Sequence, residues 1–200
     1  MTLDELMNEL ASDFPDISAI MGENDSVVLG SVECGSTILI GDRSYIVLEH
    51  RDDGTTAVIT KDFWKDMEFD NDSGDYAESA VRNALNTEFY NEVSSEIGDE
   101  NIITHEVDTT RYRNDGIHSS CRDKVSLLTV DLYRRYRKLL PAYGSWWWTA
   151  TPYSMEYPRC VCFVYGDGAL SWSDCSYYGG VRPFLILDSS VSNFSVLDPA

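Results

Sequence analysis

The sequence predicts an α+β domain, and the order of its periodic segments is what predicts it. β-rich runs come first, at Ser26–Leu29 with its continuation to Ile40, at Ser44–Glu49 and at Thr55–Thr60. Two segments with apolar residues at helical spacing follow, Asp75–Val93 and Thr129–Leu140. A second set of strands closes the chain at Trp146–Ala150, Cys160–Tyr165, Ala169–Trp172 and Val181–Leu187. Strands and helices are thus segregated, which argues against a wound βαβ sheet.

Taken in order, Thr2-Leu3-Asp4-Glu5 fits a capping box, and Leu3, Leu6, Met7 and Leu10 form one apolar stripe. Residues 1–25 are therefore expected to be an amphipathic helix and a connector, and residues 26–200 the domain proper. Arg51-Asp52-Asp53-Gly54 supplies the Asp-Gly turn that joins Ser44–Glu49 to Thr55–Thr60 as a hairpin. Tyr76, Ala80, Ala84 or Leu85, and Phe89 or Tyr90 set the first helix; Val130, Tyr133, Tyr136 and Leu140 set the second, which Pro141 ends. Gly166-Asp167-Gly168 marks a tight turn between two late strands. Trp146, Trp147 and Trp148 are consecutive, and on a strand their rings alternate between faces, so they must serve two buried layers.

The 200 residues carry a formal charge of −19. Residues 1–100 hold 24 Asp/Glu against 5 Lys/Arg, whereas residues 101–200 hold 10 of each. Such a field repels phosphate, which excludes direct binding of nucleic acid or an anionic membrane surface and favours basic partners. Five cysteines without a CxxC pair, and no signal peptide or apolar run of spanning length, point to reduced thiols and to a cytoplasmic or phage-particle setting.

Five motifs then occur in one order: Gly41-x-x-Ser44-Tyr45-Ile46-Val47-Leu48; Ser79-Ala80-Val81-Arg82-Asn83-Ala84-Leu85-Asn86 with Phe89-Tyr90; Asp123-Lys124-Val125-Ser126-Leu127-Leu128-Thr129; Trp147-Trp148-Thr149-Ala150-Thr151-Pro152; and Gly179-Gly180-Val181-Arg182-Pro183. This resembles an uncharacterised domain family of gut Gram-positive bacteria and their phages with WWxxxxP-type and GVRP motifs. That family is similar to C-type-lectin-like proteins, including formylglycine-generating enzymes and the variable proteins retargeted by diversity-generating retroelements. The resemblance implies a C-type-lectin-like α+β domain with two helices, a small antiparallel sheet and a loop-rich ligand face. The family's arginine in W-W-L-R-S-P is replaced here by Thr149 or Ala150. Arg82 and Arg182 remain and are expected to be structural, in ion pairs or against backbone carbonyls.

Chemistry finds little foothold in the residues. Trp172-Ser173-Asp174 lacks the E-P-N or Q-P-D partner of calcium-dependent sugar binding, and the glycine of Asp70–Asp75 falls one place early for an EF-hand, leaving a solvated acidic loop. An oxidase of the formylglycine-generating type needs a copper-holding cysteine pair, for which Cys160, Cys162 and Cys175 are the candidates. His105, His118 and Cys121 are too loosely spaced for a zinc site. No catalytic residue, metal ligand or cofactor is assigned.

Binding is the stronger reading. Tyr153, Ser154, Glu156, Tyr157, Trp172, Asp174, Ser176, Tyr177 and Tyr178 mix large rings with small polar residues as paratopes do, and they are the expected contact face for a protein or glycan. Trp146 or Trp147, together with Phe163, is expected in the core, and both tryptophans are expected to be structural. Alanine at Tyr153, Trp172 and Tyr177 should then abolish binding and leave the fold intact. The resemblance adds that Tyr153–Gly179 is a diversified region. The competing reading is an intracellular inhibitor whose acidic stretch Glu49–Asp75 mimics nucleic acid and blocks a basic groove of a host nucleic-acid enzyme.

Overall fold

Gly54, at φ +80°, closes the turn that the Asp-Gly pair requires, and Asp53 accepts hydrogen bonds from the Thr55 backbone and hydroxyl at 3.1 and 2.6 Å. This hairpin is the centre of the computed structural model of the chain, which describes residues 27–113, 118–142 and 144–198. The expected N-terminal helix and connector, residues 1–25, lie outside the described residues. In chain order the strands are β1 (Thr37–Ile40), β2 (Arg43–His50), β3 (Thr55–Thr60), β4 (Lys65–Glu68), β5 (Ile102–Ile103), β6 (His105–Asp108) and β7 (Ser120–Asp123). They continue as β8 (Val125–Ser126), β9 (Trp147–Pro152), β10 (Cys160–Val164), β11 (Leu170–Asp174), β12 (Tyr178–Val181), β13 (Phe184–Asp188) and β14 (Ser195–Asp198).

Seven of them form a sheet in the order β14-β1-β2-β3-β13-β5, with β8 also on β13; five form a second sheet, β11-β10-β9-β12-β4; β6 and β7 form a ribbon. The pairings are antiparallel except that of β12 with β9, which meet at Gly180 and Trp147. The long helix α1 comprises an α segment Ala80–Ala84, a π turn Leu85–Phe89 and a second α segment Tyr90–Ile97, 18 residues in all. A short helix α2 (Val130–Tyr136) follows.

The expectation of an α+β, C-type-lectin-like domain with two helices and a small antiparallel sheet is corrected by this architecture. Strand makes up 37% and helix 20%, with fourteen strands in three sheets among the described residues; the fold is mostly β. The sequence reading undercounted strands for a physical reason. β4, β5, β6, β7, β8 and β14 are two to four residues long and carry no sustained alternation, so they exist because a neighbouring strand offers hydrogen bonds. Val181–Leu187, expected as one strand, breaks at Pro183, which has no N–H to give a ladder. There the chain leaves one sheet for the other, and the Pro183 carbonyl accepts from Thr60 N at 3.0 Å.

Both faces of the seven-stranded sheet are covered, and for that reason β3 is buried at all six positions instead of alternating. Val47, Val58, Leu185 and Leu187 face a large core shared with Val81, Leu85, Phe89, Val93 and Ile97 of α1 and with Trp148 and Phe163. Ile46, Ile59, Phe184 and Ile186 face a second core shared with Tyr133 and Tyr136 of α2, Trp147 and Val164. The consecutive tryptophans divide as strand geometry demands: Trp147 enters the second core, Trp148 the first, and half-buried Trp146 stands edge-on to Trp148 at 4.7 Å.

Helix α1 is fixed by polar contacts that a propensity scale does not see. Ser79 caps it through a bond from Arg82 N at 3.1 Å, and Asp70 accepts from Ala80 N at 3.0 Å. Arg82 Nε and Nη2 both reach Asp123 Oδ1 at 2.8 Å, and its other nitrogen donates to the Ala77 carbonyl. At the π turn, Asn86 accepts from Lys124 N and Val125 N at 3.2 Å and donates to Val125 O at 2.8 Å, which holds β8 in place. Arg182, fully buried, donates to the Thr60 carbonyl from Nε at 3.1 Å and Nη2 at 2.8 Å, and lies 5.1 Å above the Trp147 ring.

Because Asp123 is 4% exposed, deleting its partner strands a buried carboxylate. Arg82→Ala is expected to lower unfolding free energy by about 3 kcal/mol in urea titration, with Arg82→Lys recovering part of it. A loss under about 1 kcal/mol would mean that water replaces the arginine.

Candidate functional site

Three segments converge at the outer end of the five-stranded sheet. β9 ends at Pro152, and Tyr153 N donates to Cys160 O at 2.8 Å, so residues 153–160 fold back on themselves. Within that loop Cys160 N bonds Tyr157 O at 2.9 Å and Tyr157 N bonds Ser154 Oγ at 3.2 Å, which turns the Tyr157 ring towards β11. The β10–β11 hairpin, closed at Gly168 with φ +88°, sets Trp172 opposite Cys162. A third segment approaches from the other side: Tyr112 N donates to Pro152 O at 2.8 Å and Arg113 N to Tyr153 O at 2.9 Å.

The outcome is a stack of four rings. Tyr112 lies on Tyr153 (6.2 Å between centroids, 17°), Tyr153 on Trp172 (4.7 Å, 20°) and Trp172 on Tyr157 (5.6 Å, 26°). Arg134 sits 5.3 Å over Tyr112 and Arg113 5.4 Å over Tyr153. Two cavities of about 230 and 290 Å³ flank the stack and share Tyr112 and Val130; the first is floored by Tyr153, Cys162 and Leu170 and walled by Trp172, the second is lined by Arg111, His118 and Arg134.

Of the residues expected on a contact face, Glu156, Tyr157, Trp172, Ser176, Tyr177 and Tyr178 are exposed. Tyr153 and Ser154 are buried, at 7% and 5%; Tyr153 lies inside the stack, between Tyr112 and Trp172, so its alanine variant is expected to lose stability instead of leaving the fold untouched. Among the described residues no ring contact joins Tyr177 or Tyr178 to the stack. Asp174 and Ser176 serve the loops. Arg159 forks onto Asp174 at 2.9 and 2.8 Å, and the Ser176 hydroxyl donates to the same carboxylate at 2.8 Å. This fork, assisted by Ser176, holds the Asp174 carboxyl well below the usual carboxylate range. Arg159 also donates to Asn71 O at 3.0 Å and reaches the Asp72 carboxylate at 3.4 Å, so one guanidinium ties three loops together. The acidic loop is therefore pinned: Asp70 accepts from Asp72 N and Asp75 from Ala77 N, at 2.9 and 3.0 Å.

Sequence reasoning missed Tyr112, Arg113 and Arg134. The Arg111-Tyr112-Arg113 triplet was the available signal, but nothing local says that it reaches β9. Trp146, Trp147, Arg82 and Arg182 occupy the framework positions described above.

The cysteines are dispersed. Cys160 and Cys162 lie with Val130 and Tyr153, while Cys175 belongs to the large core. Burial pushes the Cys162 thiol up to about 12 and the Cys175 thiol up to about 11, so both are protonated at neutral pH. His105 bonds Ser126 Oγ at 2.9 Å, and among the described residues no three His, Cys, Asp or Glu side chains gather closely enough to hold a metal ion. Within Glu49–Asp75, Glu49 is engaged by Arg135 and Tyr136, and Asp53, Asp70 and Asp75 cap turns or helix starts. No described helix is long and apolar enough to cross a membrane.

Tyr153→Ala should cost about 3 kcal/mol, because a buried ring leaves a cavity, whereas Trp172→Ala should cost about 1 kcal/mol of stacking. Paired thermal melts check this, and equal losses would make both rings core. The Asp174 pKa is lowered on folding, so its contribution is present above the free-Asp value of about 3.9 and is lost as pH falls through the folded value. Asp174→Asn should accordingly flatten the acid limb of the stability profile; an unchanged limb would remove the pair from that role.

Comparison with known proteins finds a similarity in the C-terminal part of the chain. The profile of a domain of unknown function (DUF6273) matches residues 130–189, the span that carries α2, Trp147, Tyr153, Tyr157, Arg159, Trp172 and Arg182. No curated protein and no solved structure matches the chain.

Proposed function

We infer that this chain is a non-enzymatic recognition module that binds a protein or glycan ligand through the ring stack at the end of the five-stranded sheet. One observation carries the reading: Tyr157 and Trp172 stay 43% and 44% exposed although Trp172 is already stacked on buried Tyr153 and Tyr157 on Trp172. Rings held in place before contact lose little side-chain entropy on binding, and such anchors dominate interface energetics. The adjoining cavities give the rings depth, and the arginines that cap Tyr112 and Tyr153 add donors at the rim. Display at a phage or bacterial surface fits this role.

The test is binding of immobilised protein to a glycan array and to fractionated bacterial envelope and lysate. Trp172→Ala should weaken the main interaction about tenfold or more, and binding should change little between low and moderate salt. Retained binding in Trp172→Ala together with a steep salt dependence would move the contact to the acidic first half.

A further inference from the structure

Strand β11 ends its sheet, and among the described residues no strand lies beyond it. The phase of its hydrogen bonds follows from the pairs at either end: Tyr165 N to Ala169 O at 2.8 Å, and Cys175 N to Arg159 O at 2.8 Å. In an antiparallel ladder bonded and non-bonded pairs alternate. Ser171 and Ser173 therefore bond to β10, while Leu170 and Trp172 turn their N–H and C=O groups to the open edge. Sheet proteins ordinarily blunt such an edge with lysine, proline or a bulge. β11 has none: its sequence is Leu-Ser-Trp-Ser-Asp and its register with β10 runs unbroken from Leu170 to Asp174. Beside these open groups lies the 230 Å³ cavity walled by Leu170, Trp172 and Tyr112.

We propose that β11 is a docking edge for an extended peptide of another protein, which adds as a sixth strand and places an apolar side chain in the Tyr153–Trp172 cavity. The inference rests on the recognition reading above and commits its ligand to polypeptide. Strand addition draws affinity from main-chain bonds and specificity from pockets for alternate side chains, and the edge and the cavity supply these two parts. Charge selects the peptide: beside the cavity Arg134 is paired with Asp131 and Arg159 with Asp174, and Arg113 lies over the Tyr153 ring, so within a strongly acidic chain the strip carries no excess of negative charge and suits a segment without basic residues. Size excludes a second copy. Five residues span about 17 Å, and edge-to-edge pairing over that length falls well short of the roughly 1,200 Å² that a stable dimer buries.

The experiment selects binders from a displayed library of random linear peptides against the purified chain, then resynthesises the best with single backbone N-methyl groups at each position. Strand addition requires that methylation of alternate amides weakens binding about tenfold or more while the interleaved amides tolerate it, and that Trp172→Ala weakens every peptide. Indifference to N-methylation in both registers overturns the proposal, as does the alternating pattern without dependence on Trp172, which places the strand on another edge. Self-association abolished by Leu170→Pro, which removes an outward N–H and leaves the ladder to β10 intact, overturns it too, in favour of a second copy. If no peptide binds but a glycan does and needs Trp172, this inference fails and the recognition reading stands; if neither binds, both fail.

Discussion

The Arg182 guanidinium is the joint on which the two large sheets depend. It is wholly buried at the step where β12 gives way to β13, between the Trp147 ring and the carbonyls of Thr60 and Lys61. A planar, always-charged fork can satisfy carbonyls at its edge and stack on an indole by its face; a lysine ammonium offers no such face. Pro183 reinforces the joint by forbidding a ladder bond at the crossing. The paired glycines just before it are there for contact, since a β-carbon on Gly179 would run into Trp146 and Trp148, and one on Gly180 into Phe63. Gly-Gly-Val-Arg-Pro is thus the physical statement of how one sheet hands the chain to the other.

The same logic explains why several motifs travel together along the chain. Ser79–Asn86 and Asp123–Thr129 interlock: Arg82 grips Asp123, and Asn86 reads the backbone of Lys124 and Val125. Thr129 then caps α2 through a bond from Leu132 N at 3.2 Å, and Thr151 Oγ1 accepts from Val130 N at 3.0 Å, which seats α2 on β9. These motifs belong to the framework.

How much of this was legible beforehand depended on whether a signal was local. Asp53-Gly54 fixed a hairpin by its own backbone chemistry, and Thr55–Thr60 emerged with those bounds because a run rich in Thr, Val and Ile sits between Gly54 and the charged Lys61-Asp62 pair. The long helix was legible in its spacing, though its start moved from Asp75 to Ala80, where Ser79 caps it after a single 3₁₀ turn at Tyr76–Glu78. The short strands were not legible, since Lys65–Glu68 and Ser120–Asp123 read as polar linkers until a partner strand lies beside them. The fold class was misjudged on those pieces. At the site, Tyr157 and Trp172 could be picked by composition, but composition could not tell that Tyr153 faces inward, that Asp174 belongs to Arg159, or that Tyr112 arrives from forty residues upstream.

The Arg159 clamp has a consequence for how this surface can change over time. The loops beneath the exposed rings are held by main-chain bonds, by one guanidinium and by Gly74, whose missing side chain lets it press against the Pro158 and Cys160 carbonyls. None of the side chains of Tyr157, Tyr177 or Tyr178 takes part in that fastening. Replacement at those positions alters what the surface presents without disturbing what supports it, so outward chemistry and inherited shape are written in separate residues.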